Sequence, residues 1–317
     1  MLRQWGLSSP WRVRPAEAGT NNQTLVVEAG GERYILRVYQ NTADRQRILY
    51  EHRLLSQLEA QGLPFAVPAP VPAVAGDTLV PVDGGVAALF RWIDGEAPER
   101  RSLYDARLCG AALGVLDRAL AAVDPGPAVT APYTDLRRTH PLVPAPEAVP
   151  GLIPGLRAEE RRSLGALIST VESVASVVAT LPRQVIHADY CRPNVLLASG
   201  RVTGILDFEF ATCDARLCDY AVGLHQFAFM TWGTGEEWPL LEAFSGGYRS
   251  ALALSPAELQ ALPSALLLVR VGSLLHWTGR MLQGLAGPER LLELAQNLLA
   301  LERWLAIHGA RLLEIHT

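Results

Sequence analysis

The chain contains no lysine. Every one of its 28 lysine-or-arginine positions is an arginine. That excludes chemistry run through a lysine amine: a Schiff base, or the phosphate-binding lysine of a Walker-type loop. Cysteine is also scarce. Cys109, Cys191, Cys213 and Cys218 form no Cys-x-x-Cys pair, so the usual dithiol and zinc-site spacings are missing. Four scattered cysteines in 317 residues read as reduced thiols and point to a cytoplasmic protein. Positive charge is not in excess, since the formal net charge is -4. The basic footprint of a nucleic-acid binder is therefore absent. Long apolar runs are lacking too. The stretch from Leu266 to Trp277 is interrupted by Arg270 and is too short for a bilayer, and MLRQWGLSSPW has no signal-peptide core. No membrane partner is expected. There is no internal repeat and no low-complexity tract.

What is present is length and apolar content. With 317 residues, 49% of them hydrophobic, the chain can fill a sizeable core, and two lobes are predicted. The densest chemistry lies in VIHADYCRPNVLLASGRVTGILDFEFA, residues 185–211. It reads as a loop, a strand, a Ser199-Gly200 turn and a second strand. Such a hairpin brings Asp189, Asn194 and Asp207 to one end of the paired strands. Two carboxylates and an amide at one spot suit phosphoryl transfer, in which the protein positions reactants and neutralises charge. Asp189 suits the group that accepts or orients a hydroxyl proton. Asn194 and Asp207 supply the hard oxygen ligands that magnesium takes.

The stretch resembles the protein-kinase catalytic loop, His-Arg-Asp with an Asn five residues after the Asp, followed by the metal-binding Asp-Phe-Gly. Ala188 stands in the arginine's place and Glu209 in the glycine's. With those two departures the pattern is similar instead to the aminoglycoside phosphotransferase, choline kinase and type II homoserine kinase superfamily, which carries His-x-Asp-x-x-x-x-Asn and then Asp-Phe/Trp-Glu. The resemblance implies an α+β, protein-kinase-like bilobal fold: a small antiparallel-sheet N-lobe over 1–95 and a mainly helical C-lobe over 96–317. It implies ATP and Mg2+ as cofactors and a small-molecule hydroxyl acceptor such as homoserine, a choline-like amino alcohol or an aminoglycoside. Two alternatives stay open, a bacterial Ser/Thr protein kinase of the same superfamily and a non-catalytic kinase-fold nucleotide-binding protein.

The N-terminal third carries further parts of the pattern. Residues 1–18 read as a short leader, with Trp5 and Trp11 packing on the first lobe. Gly19-Thr20-Asn21-Asn22 leads into QTLVVEA, a Gly30-Gly31 turn and ERYILRVYQ, a β-hairpin. Its mouth is either a plain surface turn or a loop folded over phosphates. The string resembles the nucleotide loop of type II homoserine kinases, which implies nucleotide contacts for Thr20, Asn21 and Asn22. Arg37 lies mid-strand, where the family's cation, usually a lysine, touches the α/β-phosphates; alternation alone also allows a solvent-facing arginine. A helix follows over about 43–61. Its Glu51 resembles the glutamate that pairs with that cation, so an Arg37–Glu51 ion pair is predicted. The proline-rich run 64–82 reads as an extended crossing plus an edge strand. ALFRWIDG then enters a hinge, placing adenine near Phe90 to Ile93, with Phe90 and Trp92 as nucleotide residues.

The remainder reads as helical. Helices are predicted over 102–123, 158–181, 235–253, 256–285 and from 288 to about 315, with capping boxes at Thr234 and Ser255. Asp117 stands where the family's Leu-Gly-x-Leu-His has histidine. Residues 124–156 read as a loop. Residues 214–219 also read as a loop, ending in Asp219, which either caps the next helix or braces the catalytic loop. His187 is read as structural. Glu209 and Asp214 would suit a cationic acceptor, although acidic loops are also ordinary surface. Arg280 either faces the substrate or caps the surface. A monomer or homodimer is expected.

Overall fold

The computed structural model describes residues 1–16, 23–39, 45–83, 85–228 and 231–316. They form two compact units. The first comprises Met1–Ala97, Ala122–Val129 and Pro193–Glu209; the second comprises Pro98–Ala121, Thr130–Arg192 and Phe210–Thr317. Thr20, Asn21 and Asn22 lie outside the described residues.

The first unit is built on a six-stranded antiparallel sheet. Its elements are β1 (Trp11–Pro15), β2 (Gln23–Ala29), β3 (Glu32–Tyr39), α1 (Arg45–Ala60), β4 (Pro70–Val71), β5 (Val80–Val82) and β6 (Gly85–Arg91). The strand order is β1-β2-β3-β6-β4, with β5 also on β6. The Gly30-Gly31 turn works because both residues have positive φ, 60° and 83°, the geometry that matches strand twist in a two-residue hairpin. Residues 1–16, within the expected leader, are more than that. Leu2–Trp5 form a 3-10 turn whose Trp5 indole donates to the Val71 carbonyl (3.1 Å), and WRVRP is a sheet edge. Its exposed arginines suit an edge strand, where charge discourages pairing with other chains.

Strand alternation sorts the sheet into two faces. Leu36 of β3, with Ala87 and Leu89 of β6, packs on Leu2 and Trp5. Ile35 and Tyr39, with Val86, Ala88 and Phe90, pack on the α1 side with Ile48 and Leu49. Arg37 falls between Ile35 and Tyr39 and so points to the α1 face.

The second unit is mainly helical. Its elements are α2 (Leu103–Leu120), α3 (Val149–Leu152), α4 (Ala158–Val178) and β7 (Arg183–Ile186). The chain then returns to the first unit as the hairpin β8 (Val195–Ala198) and β9 (Arg201–Ile205). The second unit resumes with β10 (Thr212–Ala215), α5 (Arg216–Ala228), α6 (Glu237–Ala251), α7 (Pro256–Leu282) and α8 (Pro288–Glu314). The hairpin joins the first unit through main-chain bonds: Ala66 N donates to Thr203 O (2.9 Å), and Glu96 and Leu197 exchange N–H···O bonds (2.9 and 2.8 Å). Residues 212–215 correct the predicted loop. They form a strand paired with β7, a four-residue match too short to show as periodicity. The helix after it therefore starts at Arg216, and Asp219 lies within its first turn rather than capping it.

Helices α2 and α6 cross closely because Gly110 abuts the Phe244 carbonyl and Gly247 abuts the Arg107 carbonyl; a Cβ at either would overlap main chain. Helix α7 opens with the predicted capping box: Glu258 N donates to Ser255 Oγ (3.3 Å) and Ser255 N to Glu258 Oε2 (2.8 Å). Among the described residues α7 alone is long and apolar enough to cross a membrane by length and composition. It packs on α4, α5 and α8 and buries Leu266, Leu268, Val271 and Leu275, so it is a core helix.

Candidate active site

In the first unit, Arg37 meets α1. Its Nη1 lies 3.9 Å from Glu51 Oε1, with the two side chains 23% and 6% exposed. Burial works against the Arg37 charge. Tyr39, Glu51, Asp207 and Glu209 around it outweigh that and hold its pKa above the ordinary arginine value. Glu51 is pushed up to about 7 by burial; Arg37 opposes the rise, while Asp207 and Glu209 add to it. The cation thus stands among several acids that share it. Next to it, His52 is driven down to about 4 by burial and by Arg37, and its Nδ1 pairs with Thr78 Oγ1 at 2.8 Å.

The β8–β9 ladder places the oxygen donors. Val195 pairs with Ile205, and Leu206 N donates to Asn194 O (2.7 Å), which puts Asn194 across from the step into Asp207. Asp207 has φ 65°, a left-handed conformation that Asp tolerates better than most residues. Glu209 stays in this unit: its carbonyl accepts from Arg47 Nε (3.1 Å) and Nη2 (3.0 Å). It lies in the same unit as Arg37 and Asp207. Phe90 is a core residue, 3% exposed, and its main chain is flanked by Ile35 and Pro70 in the sheet. The Trp92 N–H is taken by Arg33 O (3.1 Å) and its indole by Asp94 Oδ1 (2.9 Å).

Asp189 belongs to the second unit, on the loop after β7. Its amide donates to His187 Nδ1 (3.1 Å), so that ring nitrogen is the unprotonated one. Behind the loop, Asp219 accepts from His187 N (2.5 Å) and Ala188 N (2.7 Å). On the other side Tyr133 Oη donates to the Ala188 carbonyl (2.6 Å). Ala188 has φ 64°, a conformation that costs a non-glycine residue about 1–2 kcal/mol. Bonds on both its N–H and its C=O hold it there and fix where Asp189 begins.

Asp214 requires a correction. It was anticipated as a substrate group, but it has no exposed surface. Thr134 Oγ1 (2.7 Å), Thr134 N (3.2 Å) and Ala215 N (2.8 Å) donate to it, and Arg183 Nη1 lies 3.6 Å away. A carboxylate so buried and satisfied is a brace. Arg280 lies near the end of α7, its guanidinium 5.5 Å from the Trp277 ring centroid, with Nε buried and without a partner.

Comparison with known proteins decides the family. A model of the "Phosphotransferase enzyme family" matches residues 12–262. The chain belongs to that family. This phosphotransferase is 30% identical over 308 residues to a homoserine kinase of Methylobacterium radiotolerans, covering 97% of this chain and 91% of that one. It is 29% identical over 314 residues to a homoserine kinase of Caulobacter vibrioides, with 97% and 93% covered. Among solved structures it is similar to a microcompartment-associated aminopropanol kinase, with TM-score 0.75, 22% identity and 98% and 97% of the two chains covered. An aminoglycoside phosphotransferase from Alicyclobacillus acidocaldarius gives TM-score 0.63 and 17% identity, with 95% and 91% covered. The protein-kinase-like α+β fold is therefore shared. The phosphotransferase is a kinase acting on a hydroxyl group of a small metabolite, and its family implies ATP as the phosphoryl donor.

Sequence reading missed three residues of these surroundings. Arg47 is one helical turn before Glu51, so its position on the same α1 face was legible. Arg270, 8% exposed, is a charge inside an apolar helical run, a signal noted only as an interruption. Tyr133, in an irregular stretch, carried no signal.

Proposed function

We propose that the first unit holds the nucleotide and the second the acceptor. Arg37, kept in place by Glu51, contacts the phosphates, and the chain leaving β6 after Trp92 takes the adenine edge. Asn194 and Asp207 fit magnesium: one amide oxygen and one carboxylate, both hard donors, at the end of the β8–β9 ladder, where Leu206 N donates to Asn194 O. Among the described residues no group of three or more His, Cys, Asp or Glu side chains could hold a metal by itself. Magnesium needs none, because substrate phosphates and water complete its shell. When bound, it neutralises charge on the phosphate oxygens. Asp189 orients the acceptor hydroxyl and takes its proton, from a loop that Asp219 and Tyr133 hold still. The enzyme works in the cytoplasm on a free metabolite, as a monomer or homodimer.

For the acceptor we infer a hydroxy amino acid of the homoserine type. The observation that carries this is Arg270. It is 8% exposed on α7, and burial pulls it down to about 10, with Tyr133 and Glu293 opposing the fall. Tyr133 links it to the catalytic loop: the tyrosine feels both Asp189 and Arg270, and its ring packs on Gly272. An arginine there suits a substrate carboxylate, which it can bind bidentately. With Asp214 sequestered, the case for a purely cationic acceptor is weakened. The test is coupled ADP release with homoserine, aminopropanol, choline and an aminoglycoside. Homoserine is expected to give the highest kcat/KM, and Arg270→Ala to raise KM for homoserine alone. Fastest turnover with an amino alcohol lacking a carboxylate overturns the acceptor assignment.

A further inference from the structure

Two carboxyl groups with no exposed surface lie together behind the Asp189 loop: Asp117, near the end of α2, and Asp219 in the first turn of α5. A buried charge is costly unless paired and hydrogen-bonded. Asp219 has its donors, the amides of His187 and Ala188. Asp117 is placed differently. Its Oδ2 accepts from Tyr248 Oη (2.7 Å), and its main-chain carbonyl accepts from Gln184 Nε2 (2.6 Å). Its Oδ1 is buried and meets no donor, and the Asp117 side chain shares a hydrogen bond with that of Asp219. Arg216, whose field reaches Asp117, is tied to Glu258 by two bonds of 2.7 and 2.8 Å. Two carboxylate oxygens are both acceptors, so they bond only with a proton between them.

We propose that Asp117 is held as a neutral carboxylic acid whose O–H donates to Asp219, and that this proton is part of the brace that positions Asp189. The second half rests on Asp189 being the group at the acceptor hydroxyl. Burial and the neighbouring Asp219 raise Asp117 well above the carboxylate range; Asp219 itself is pushed up to about 7 by burial, against the pull of its two amide donors. The other groups facing the pair do not supply a counter-charge. Tyr248, Tyr190, Tyr133 and Cys218 are all pushed up by burial and stay neutral, and Asp214 is a further acid. Loss of the shared proton leaves two adjacent anions. Their repulsion shifts Asp219 away from the amides that hold Ala188 in its left-handed conformation. Asp117 is thus a positioning residue, acting through Asp219.

The test combines infrared spectroscopy with kinetics on the full chain. Wild type at neutral pH should show a protonated-carboxyl C=O band that Asp117→Asn removes. Asparagine keeps an N–H for Asp219 and an oxygen for Tyr248, so it should retain kcat within about threefold, while Asp117→Leu lowers kcat about 10- to 100-fold at unchanged nucleotide affinity, the range expected for a misplaced catalytic group. The wild-type kcat should fall on the alkaline side as the proton leaves, and Asp117→Asn should lose that fall. Absence of the band in wild type overturns the shared proton, and this reading survives even if no variant folds. A folded Asp117→Leu protein with wild-type kcat overturns the positioning role. Because the band needs no turnover, a band without phosphorylation of any acceptor counts against the assigned reaction and not against the proton.

Discussion

Each unit buries acid, and Glu51 in the first is offset differently from the pair Asp117 and Asp219 in the second. In the first, Glu51 has an arginine within 3.9 Å. In the second, Glu258 likewise has Arg216, but Asp117 and Asp219 are bonded to Tyr248 and to backbone amides, with no arginine in an ion pair to either among the described residues. A guanidinium is a permanent counter-charge and is unaffected by pH in any working range. A proton is cheaper to bury but can leave. The first unit is thus built around a fixed cation, which on the proposed reading meets the phosphates. The Asp189 loop, with the proposed proton between Asp117 and Asp219, is held by an arrangement that depends on the solution around it.

Four changes would break or sharpen that contrast. The largest effect is expected at the loop itself: Asp189→Ala should lower kcat at least ~10²-fold, the size of a positioned general base, with nucleotide affinity intact. Unchanged ADP release with the true acceptor would refute its role. Next, Arg37→Ala should weaken nucleotide binding about tenfold and lower stability by about 1–3 kcal/mol, because it leaves Glu51 buried without its partner. Adding Glu51→Gln should restore most of that stability but not the affinity; calorimetry and nucleotide titration read the two separately.

His52 gives a smaller effect with a definite sign. Its folded value of about 4 lies below the ordinary 6.5. Between those values the unfolded chain takes a proton that the folded one refuses. Its contribution is therefore complete above pH 6.5 and is lost as pH falls toward 4. Glu51 runs the other way: raised from 4.5 to about 7, it contributes below 4.5 and loses this as pH rises through 7. Chemical denaturation across pH should show His52→Asn flattening the acid limb by about 1–2 kcal/mol. A slope identical to wild type would contradict the buried neutral ring. The smallest effect is at Arg101–Glu236, an ion pair at 3.3 Å with side chains 65% and 57% exposed. Arg101→Ala should change stability by no more than about 0.5 kcal/mol, as solvent-screened pairs do.

Much of this was legible in the chain. The helices of the second unit announced themselves by period and caps: Ser255 and Glu258 specify the start of α7 three residues apart, and the structure follows them. The direction of Arg37 was also recoverable, since Ile35 and Tyr39 flank it at strand period. Other features depend on partners distant in sequence. Strand β10 exists because β7 pairs with it, and neither four-residue segment declares itself alone. Asp214 looked like an acidic loop residue; only the approach of Thr134, eighty positions away, turns it inward. Asp117 could be noticed as an acid in an apolar helix, but Tyr248 and Asp219, which explain it, arrive from α6 and α5.

The hairpin at 193–209 bears on how the protein can be taken apart. Its main-chain bonds to Ala66 and Glu96 are ones that a polypeptide ending at residue 97 would lack. The strand passes from one body to the other at 97/98, 121/122, 129/130, 192/193 and 209/210, so it is laced through both. No single scission yields two whole halves. Attempts to make the first unit by itself from one segment should give material that cannot close its own edge, and swapping second units between relatives will need grafts of several segments at once.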